Sequence, residues 1–463
     1  MTRETPVGYR ARELALERVL AQTLRFPDLD FAQSSDARAA VGRDASMDPR
    51  DAALARAIEL AVVRRYLTLI ACVRPHLAKN WPLLEKPIQA ALLAGAAQIL
   101  FLDRVPAPAA VDACVEWTKR RLRPGAGGLV NAVLRKVAAN VAERLPAGDE
   151  AIGDHSRRDL VPLADGSALR MSSPVFSEDA AYALAERTSH SRELVVHWIG
   201  AFGFREAMRL ATHDLVEAPI IVTPFDAADP RVAAGAVAHD EPGFGVWTGT
   251  HVELTALLAE SPALRVQDPT SAATVATLAS HLPQAPRRIV DLCAGRGTKT
   301  RQLASLFPDA EILATDTDQA RFRALAQLAA SNPRVRALAP EALFREAAGS
   351  TDVLLLDVPC SNSGVLARRP EARYRFSKAR TQSVAELQRM ICDPAIGLLA
   401  LKGVAMYATC SIERGENEVQ VRRLASRFGM STVVERSILP DGAPGESPSR
   451  YRDGGYHALL ARA

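Results

Sequence analysis

Two apolar runs in the last quarter of the sequence each end on a cysteine. LKGVAMYAT (401–409) stops at Cys410 and gives way to SIERGENE, and LLLDVP (354–359) stops at Cys360 before SNSG. Short apolar runs bounded by polar residues read as strands. A lone cysteine is by default a small buried hydrophobe. Two of them at the ends of two strands point to thiol chemistry instead, which needs a thiolate. A thiolate is favoured by a helix N-terminus or a nearby cation, and Cys410 precedes a predicted helix. Pro359 fixes the chain as it leaves its strand, so that Asp357 and Cys360 are held together.

A third stretch, DLCAGRGTKT (291–300), reads as a strand, a Gly-x-Gly turn and a helix. Gly295 and Gly297 permit a tight turn and close approach of backbone to a ligand at a helix N-terminus. Asp316 ends the next predicted strand, 25 residues after Asp291. A carboxylate there can accept both hydroxyls of a ribose. Lys299 follows Gly297 too closely for a phosphate-binding GxxxxGK[ST] loop. A nucleoside cofactor without a triphosphate, S-adenosylmethionine, suits this turn better than ATP.

These stretches need a scaffold, and the pattern from about 285 onward supplies one. Strand-like runs alternate with helical ones: RRIVDLCA, TKTRQLASLF, AEILATD, ARFRALAQLAA, TDVLLLDVP, a helical segment near 381–400, GVAMYAT and a closing YHALLARA. That alternation predicts a mostly parallel sheet covered on both faces. Ligands bind at the carboxyl ends of such strands, which puts Asp291, Asp316, Asp357 and Cys410 on one rim.

The first 140 or so residues read as helices throughout. Leu16, Val19, Leu20 and Leu24 share one face, as do Leu54, Ala57, Ile58 and Ala61, and apolar helical stretches follow around 85–102, 107–121 and 128–142. At its end KRRLRPGAGG (119–128) places Lys119, Arg120, Arg121 and Arg123 together, either complementing a helix dipole or facing RNA. The expected organisation is a helical bundle over 1–145, a linker over 146–171, a small α+β subdomain over 172–284 and an α/β domain over 285–463.

Composition narrows the class further. The chain has 463 residues, too many for one core, with 48% hydrophobic and 24% charged residues, as in soluble globular proteins. The longest nearly apolar run, Ala90 to Leu102, falls short of the ~20 residues that span a bilayer. The first residues lack the apolar core of a signal peptide. A cytoplasmic protein without a membrane partner is therefore expected. The six cysteines form no CxxC pair, which argues against a zinc cluster or a disulfide framework, and no metal is expected. Residues 1–146 hold 22 Lys+Arg against 15 Asp+Glu, so the front is modestly basic, a weak pointer to a polyanion.

Together, DLCAGRGTKT, DVPCSNSG and YATCSIERGENE resemble the catalytic motifs of the Nop/Sun family of RNA cytosine-5 methyltransferases. VQDPTSAATVATL (266–278) is similar to the family's segment before the cofactor strand, and RPEARYRF to its segment after the active-site loop. LAGAAQILFLDRVPAPAAVDACVEWTK with GGLVNAVLRKV resembles the NusB-like RNA-binding domain fused to the RsmB/Sun-type, ribosomal-RNA branch. The fold implied is an all-α NusB-like bundle, a small α+β middle subdomain and a Rossmann-like methyltransferase domain.

The resemblance implies that Cys410 adds to carbon 6 of a cytosine of small-subunit ribosomal RNA, while Asp357 supports the base and Cys360 assists release. Cys293, Ala294, Gly295, Arg296, Gly297, Thr298 and Lys299 would form the S-adenosylmethionine loop, with Asp357 beside it and Asp316 on the ribose. Arg368, Arg369, Arg373 and Tyr374 offer phosphate contacts and base stacking, with Lys119, Arg120 and Arg121 as a second RNA patch. A monomer acting on RNA is expected. The chain departs from the family in three places. Arg296-Gly297-Thr298 replaces Pro-Gly-Gly. Ala339 and Pro340, followed by Glu341, stand where the family has the Gly-Asp that holds the adenine. PIIVTPFDA lacks an Arg-Asn. These departures motivate the alternative, a catalytically degenerate RNA-binding or ribosome-assembly factor on the same fold.

Overall fold

The computed structural model describes residues 8–30, 48–148, 156–261 and 263–462. The chain divides into two compact units. One comprises Met1–Val216 with Arg369–Phe376 and Ala443–Glu446; the other comprises Glu217–Arg368, Ser377–Gly442 and Ser447–Ala463.

The first unit is built on helices α1 (Tyr9–Arg25), α2 (Pro49–Val73), α3 (Lys86–Phe101), α4 (Ala107–Arg121) and α5 (Pro124–Ala139). Helix α3 is apolar on all sides and buried along nearly its whole length, from Ile88 to Ala97. It is therefore the centre of the bundle rather than a surface helix with one apolar stripe. Its Gly95 is required by packing, since a Cβ there would lie 2.4 Å from Leu134 of α5. Helix α5 starts at Pro124, four residues before the stretch read from apolar periodicity, because proline is well suited to a first helical turn.

Residues 146–171 are not a linker in their described part. β1 (Val141–Leu145), β2 (Leu160–Pro162) and β3 (Ala168–Met171) form an antiparallel sheet in the order β1-β3-β2. Strands of three to five residues are too short for a legible alternation, and polar Arg144, Asp165 and Ser167 bond to one another at the turn. Helices α6 (Ala180–Thr188), α7 (Arg192–Phe202) and α8 (Phe204–His213) also belong to this unit, so the middle subdomain begins near Glu217 rather than at 172.

The second unit opens with a small sheet of β4 (Ile221–Thr223), β5 (Ala236–Ala238), β6 (Gly245–Trp247) and β7 (Arg265–Val266), ordered β5-β6-β4-β7, with α9 (His251–Glu260). Helix α10 (Pro269–His281) leads into a seven-stranded sheet. Its strands are β8 (Arg288–Asp291), β9 (Glu311–Ala314), β10 (Val335–Ala337), β11 (Thr351–Asp357), β12 (Leu399–Thr409), β13 (Met430–Ile438) and β14 (Gly455–Arg462), ordered β10-β9-β8-β11-β12-β14-β13. The first five are parallel, and β14 runs antiparallel to both its neighbours. Helices α11 (Thr298–Leu306), α12 (Gln319–Ser331), α13 (Pro340–Ala347), α14 (Lys378–Ala395) and α15 (Glu418–Phe428) provide the crossovers and covers.

The sheet's side chains alternate as a doubly covered sheet requires. Val290, Leu354, Leu356 and Tyr407 pack with Leu343, Cys392 and Leu424 on one face. Ile289, Val353, Leu355 and Met406 pack with Val275, Leu278 and Leu303 on the other. Each such side chain contributes about 1.5–3 kcal/mol on burial. Because β8, β9, β11 and β12 are parallel neighbours or near neighbours, their ends share one rim, and chemistry-bearing residues follow each end.

Candidate active site

The loop after β8 turns through two left-handed glycines, Gly295 (φ +58°) and Gly297 (φ +86°). Gly297 caps α11, and a Cβ on it would lie 2.5 Å from Leu328 of α12, so the loop is pressed against that helix. Gly295 faces open space: nothing lies within 4 Å of a Cβ built there. Its N–H donates to Asp316 Oδ2 at 2.9 Å, and the Asp318 N–H donates to Oδ1 at 2.8 Å. Half-buried Asp316 is thereby oriented while its remaining lone pairs stay available.

Asp291 is fully buried at the end of β8. Thr300 donates to its Oδ2 at 2.7 Å, whereas Oδ1 has no partner. Burial raises its pKa to about 7 against the opposing Thr300 hydrogen bond, with the nearby Asp357 charge adding to the rise. Cys293 lies in the same loop, and burial holds its thiol well above the ordinary range, so it stays protonated.

Lys299 reaches from the first turn of α11 to Asp357 at the end of β11, with Nζ–Oδ2 at 2.8 Å. Burial works against its charge, but the attraction and hydrogen bond of Asp357 outweigh that and raise its pKa, with Cys410 adding to the rise. The rim thus carries a fixed ammonium beside the cysteines.

Cys360 and Cys410 are brought together. Their sulfurs lie 3.0 Å apart, both free thiols, and Cys410 Sγ is 3.3 Å from Asn362 Oδ1. The cause is local: β11 and β12 pair in parallel up to Asp357 opposite Ala408, so the two chains exit side by side. Gly364 donates its N–H to the Cys410 carbonyl at 3.0 Å, and a Cβ on Gly364 would meet Gly454 backbone at 2.7 Å. Asn362, at φ +64°, completes the turn. Helix α15 starts at Glu418, after an intervening turn, so the dipole invoked from sequence is displaced, and the positive charge that interacts with Cys410 is the Lys299 ammonium.

The arginine-aromatic segment is used differently from the sequence reading. Arg373 is almost fully buried and donates to the Arg64 carbonyl at 3.0 Å and to the Asp214 carbonyl. Tyr374 is buried against Tyr66 and Phe26 and donates to the Val63 carbonyl at 2.6 Å. Arg368 is clamped by Asp453 at 2.6 Å and Asp268 at 3.5 Å, and donates to the Pro219 carbonyl. A ring with no exposed face cannot stack on a base, so Tyr374 and Arg373 are corrected to internal anchors and Arg368 to an ion-pair centre. Arg369 keeps more of its side chain in solvent, 3.7 Å from Glu371. Lys119, Arg120 and Arg121 are exposed on the last turn of α4, near Glu116, Glu13 and Glu17. Such exposed pairs hold their partners weakly. Ala339 caps α13 at the end of β10 without a side-chain acceptor, and Glu341 in its first turn is exposed.

Sequence reasoning passed over Glu416, Ser361, Ser363 and Ser411, which bond around the two cysteines. The signal was present as polar residues flanking both, but hydroxyl-rich loops are common and only contact distinguishes them. No group of three or more metal ligands occurs among the described residues, and none of their helices is long and apolar enough to cross a membrane.

Residues 278–439 match the family model of the 16S rRNA methyltransferase RsmB/F, and residues 9–139 match that of the NusB family. The chain is 28% identical, over the whole length of both proteins, to the Ribosomal RNA small subunit methyltransferase B of Xanthomonas campestris pv. campestris. It is 26% identical to that of Vibrio cholerae, over 89% of this chain and 90% of the relative. Among solved structures, PH0851 superposes with a TM-score of 0.69 at 18% identity, covering 99% of each chain. A methyltransferase homolog from Pyrococcus horikoshii gives 0.50 at 19% identity, covering 61% of this chain and 99% of that one, and both likenesses concern the fold. The rim's cysteines, acids and glycine turn all lie within the segment that matches the RsmB/F methyltransferase family, and the helical front of the chain is the segment that matches the NusB family.

Proposed function

We propose that this protein is an S-adenosylmethionine-dependent methyltransferase of ribosomal RNA, acting at carbon 5 of a cytosine, with Cys410 as nucleophile. The observation that carries the reading is the pair of thiols 3.0 Å apart at two parallel strand ends, beside the Asp357–Lys299 pair. The name that the relatives carry, Ribosomal RNA small subunit methyltransferase B, supports the substrate class.

The residues present fit S-adenosylmethionine. Open space over Gly295 admits a ligand at the N-terminus of α11, Asp316 retains acceptors for ribose hydroxyls, and the unpartnered Asp291 oxygen suits a cationic amino group. When bound, the cofactor supplies an electrophilic methyl group. The chain's own residues do the rest. The Cys410 thiolate adds to carbon 6 of the cytosine, which moves electron density onto carbon 5 and splits one hard step into two easier ones. Asp357, fixed by Lys299, supports the base at its N3/N4 edge. The carbon-5 proton then passes to water, its electron pair re-forms the ring double bond, and the carbon 6–Cys410 bond breaks to return the Cys410 thiolate, with Cys360 assisting this release. The target must be unstacked to reach the rim. The exposed Lys119–Arg121 cluster of the NusB-family domain is proposed as an RNA contact.

The test is a denaturing gel of Cys360→Ala protein with small-subunit ribosomal RNA and S-adenosylmethionine. A protein–RNA band that survives denaturant, and vanishes in Cys360→Ala/Cys410→Ala, is the expected result. Cys410→Ala alone should abolish methyl transfer and leave RNA binding nearly intact; residual turnover would sink the assignment of the nucleophile. The missing acceptor at Ala339 favours one competing reading, a non-catalytic RNA-binding factor, and absence of both the band and saturable cofactor binding would select it.

A further inference from the structure

Two thiols 3.0 Å apart cannot both ionise readily, because the second negative charge would form beside the first. The site must therefore choose which sulfur carries the charge. Both cysteines follow a strand end and both are followed by serine, so their immediate sequence does not decide it.

The surroundings do. Glu416 is completely buried, and its Oε2 accepts the N–H of Ser361, the residue after Cys360, at 2.8 Å; its Oε1 has no partner. The hydroxyls of Ser361 and Ser363 lie 3.2 and 3.1 Å from that of Ser411, the residue after Cys410, and Ser363 accepts the Ile412 N–H at 3.1 Å. This hydroxyl clasp ties the two cysteine loops together, with the carboxyl held chiefly by Ser361 of the Cys360 loop and to a lesser degree by Ser411. The opposite charge, the Lys299 ammonium, is held on Asp357 and is itself favoured by Cys410.

We propose that Glu416 is the positioning residue that selects the nucleophile: its carboxylate, fixed to the Cys360 loop, keeps the proton on Cys360 and leaves Cys410 as the thiolate. One proton of the pair goes to solvent, and the other remains on Cys360 as a donor to the Cys410 sulfur. The hydrogen bond with Cys410, burial, and the charges of Cys410 and Glu416 together hold Cys360 far above the ordinary thiol range. Burial raises Glu416 to about 7, against its Ser361 hydrogen bonds and with Glu413 adding to the rise. The groups bearing on it are Glu413 on its own turn, Ser361 and Cys360 from the loop after β11, Ser411, and Tyr407 of β12, whose hydroxyl donates to the Glu416 carbonyl at 2.5 Å. The selection therefore strengthens as Glu416 ionises, from about pH 6 to about pH 8.

The inference rests on reading Cys410 as the nucleophile, but its test needs neither RNA nor cofactor. The full chain is treated with limiting iodoacetamide, and labelling at Cys360 and Cys410 is quantified by peptide mass spectrometry. Wild type is expected to label Cys410 about tenfold or more over Cys360 at about pH 8, with a ratio that falls towards about pH 6. Glu416→Gln, which keeps an acceptor for the Ser361 N–H, should narrow the ratio about threefold or more and flatten its pH dependence. Preferential Cys410 labelling that is flat with pH, and unchanged by Glu416→Gln, overturns the role of Glu416 alone. Equal labelling in wild type overturns both the selection and the nucleophile assignment. If Glu416→Gln does not fold, the wild-type pH profile decides by itself.

Discussion

Asp291 illustrates how a single buried atom constrains function. Its carboxyl is shielded by the sheet and satisfied at one oxygen, so ionising it costs energy until a cation arrives at the other. In the free protein its pKa is about 7, raised by burial. A bound cationic amino group would favour the ionised form and lower that value, so binding releases a proton when it starts from the protonated state. The sign follows: affinity for S-adenosylmethionine should weaken as pH falls through 7, by roughly tenfold between about pH 7.5 and about pH 6. Titration calorimetry at the two pH values checks it. Asp291→Asn should bind more weakly and show a flat profile over this range; an unchanged slope would move the pH-sensitive group elsewhere.

At the scale of the element, the turn from β8 into α11 separates two jobs between two glycines. Gly297 is left-handed and pressed on Leu328, so an added methyl meets both strain and collision. Gly295 is left-handed over open space, so an added methyl meets strain alone and projects where a ligand would sit. Gly297→Ala should therefore cost about 2 kcal/mol or more of stability, and Gly295→Ala about 1 kcal/mol. Cofactor affinity should respond in the opposite order, falling more for Gly295→Ala. Thermal melts combined with cofactor titrations separate the two effects, and equal losses on both scales would refute the division.

At the scale of the whole molecule, the first unit is completed by residues far along the chain. Tyr374, more than 150 positions beyond Val216, lies among Tyr66 and Phe26 and donates to the Val63 carbonyl. A fragment ending at 216 would lack that ring and the Arg373 guanidinium that bonds the Arg64 and Asp214 carbonyls. Tyr374→Ala in the full chain should destabilise this unit by roughly 3–5 kcal/mol. Hydrogen exchange reads it: amides of 62–69 should exchange faster, while those of β8 and β9 remain as in wild type. Uniform acceleration would mean the two units unfold together.

The sequence by itself determined the periodic and the local: helices of the bundle, the alternation of strands and helices from β8 onward, and the rim on which Asp291, Asp316, Asp357 and Cys410 stand. These were legible because periodicity and strand order depend on near neighbours. Even the pairing of two cysteines was foreshadowed by their both ending strands, although their 3.0 Å separation was not. Only the tertiary structure decided the rest. It turned 160–171 into strands too short to read, and it buried Arg373 and Tyr374, whose composition resembled a nucleic-acid contact. It also set Glu416 beside Ser361, across 55 residues of chain. Burial and partner choice are properties of distant chain segments meeting, so the same polar residue reads alike in sequence whether it faces water, RNA or a carbonyl inside the fold.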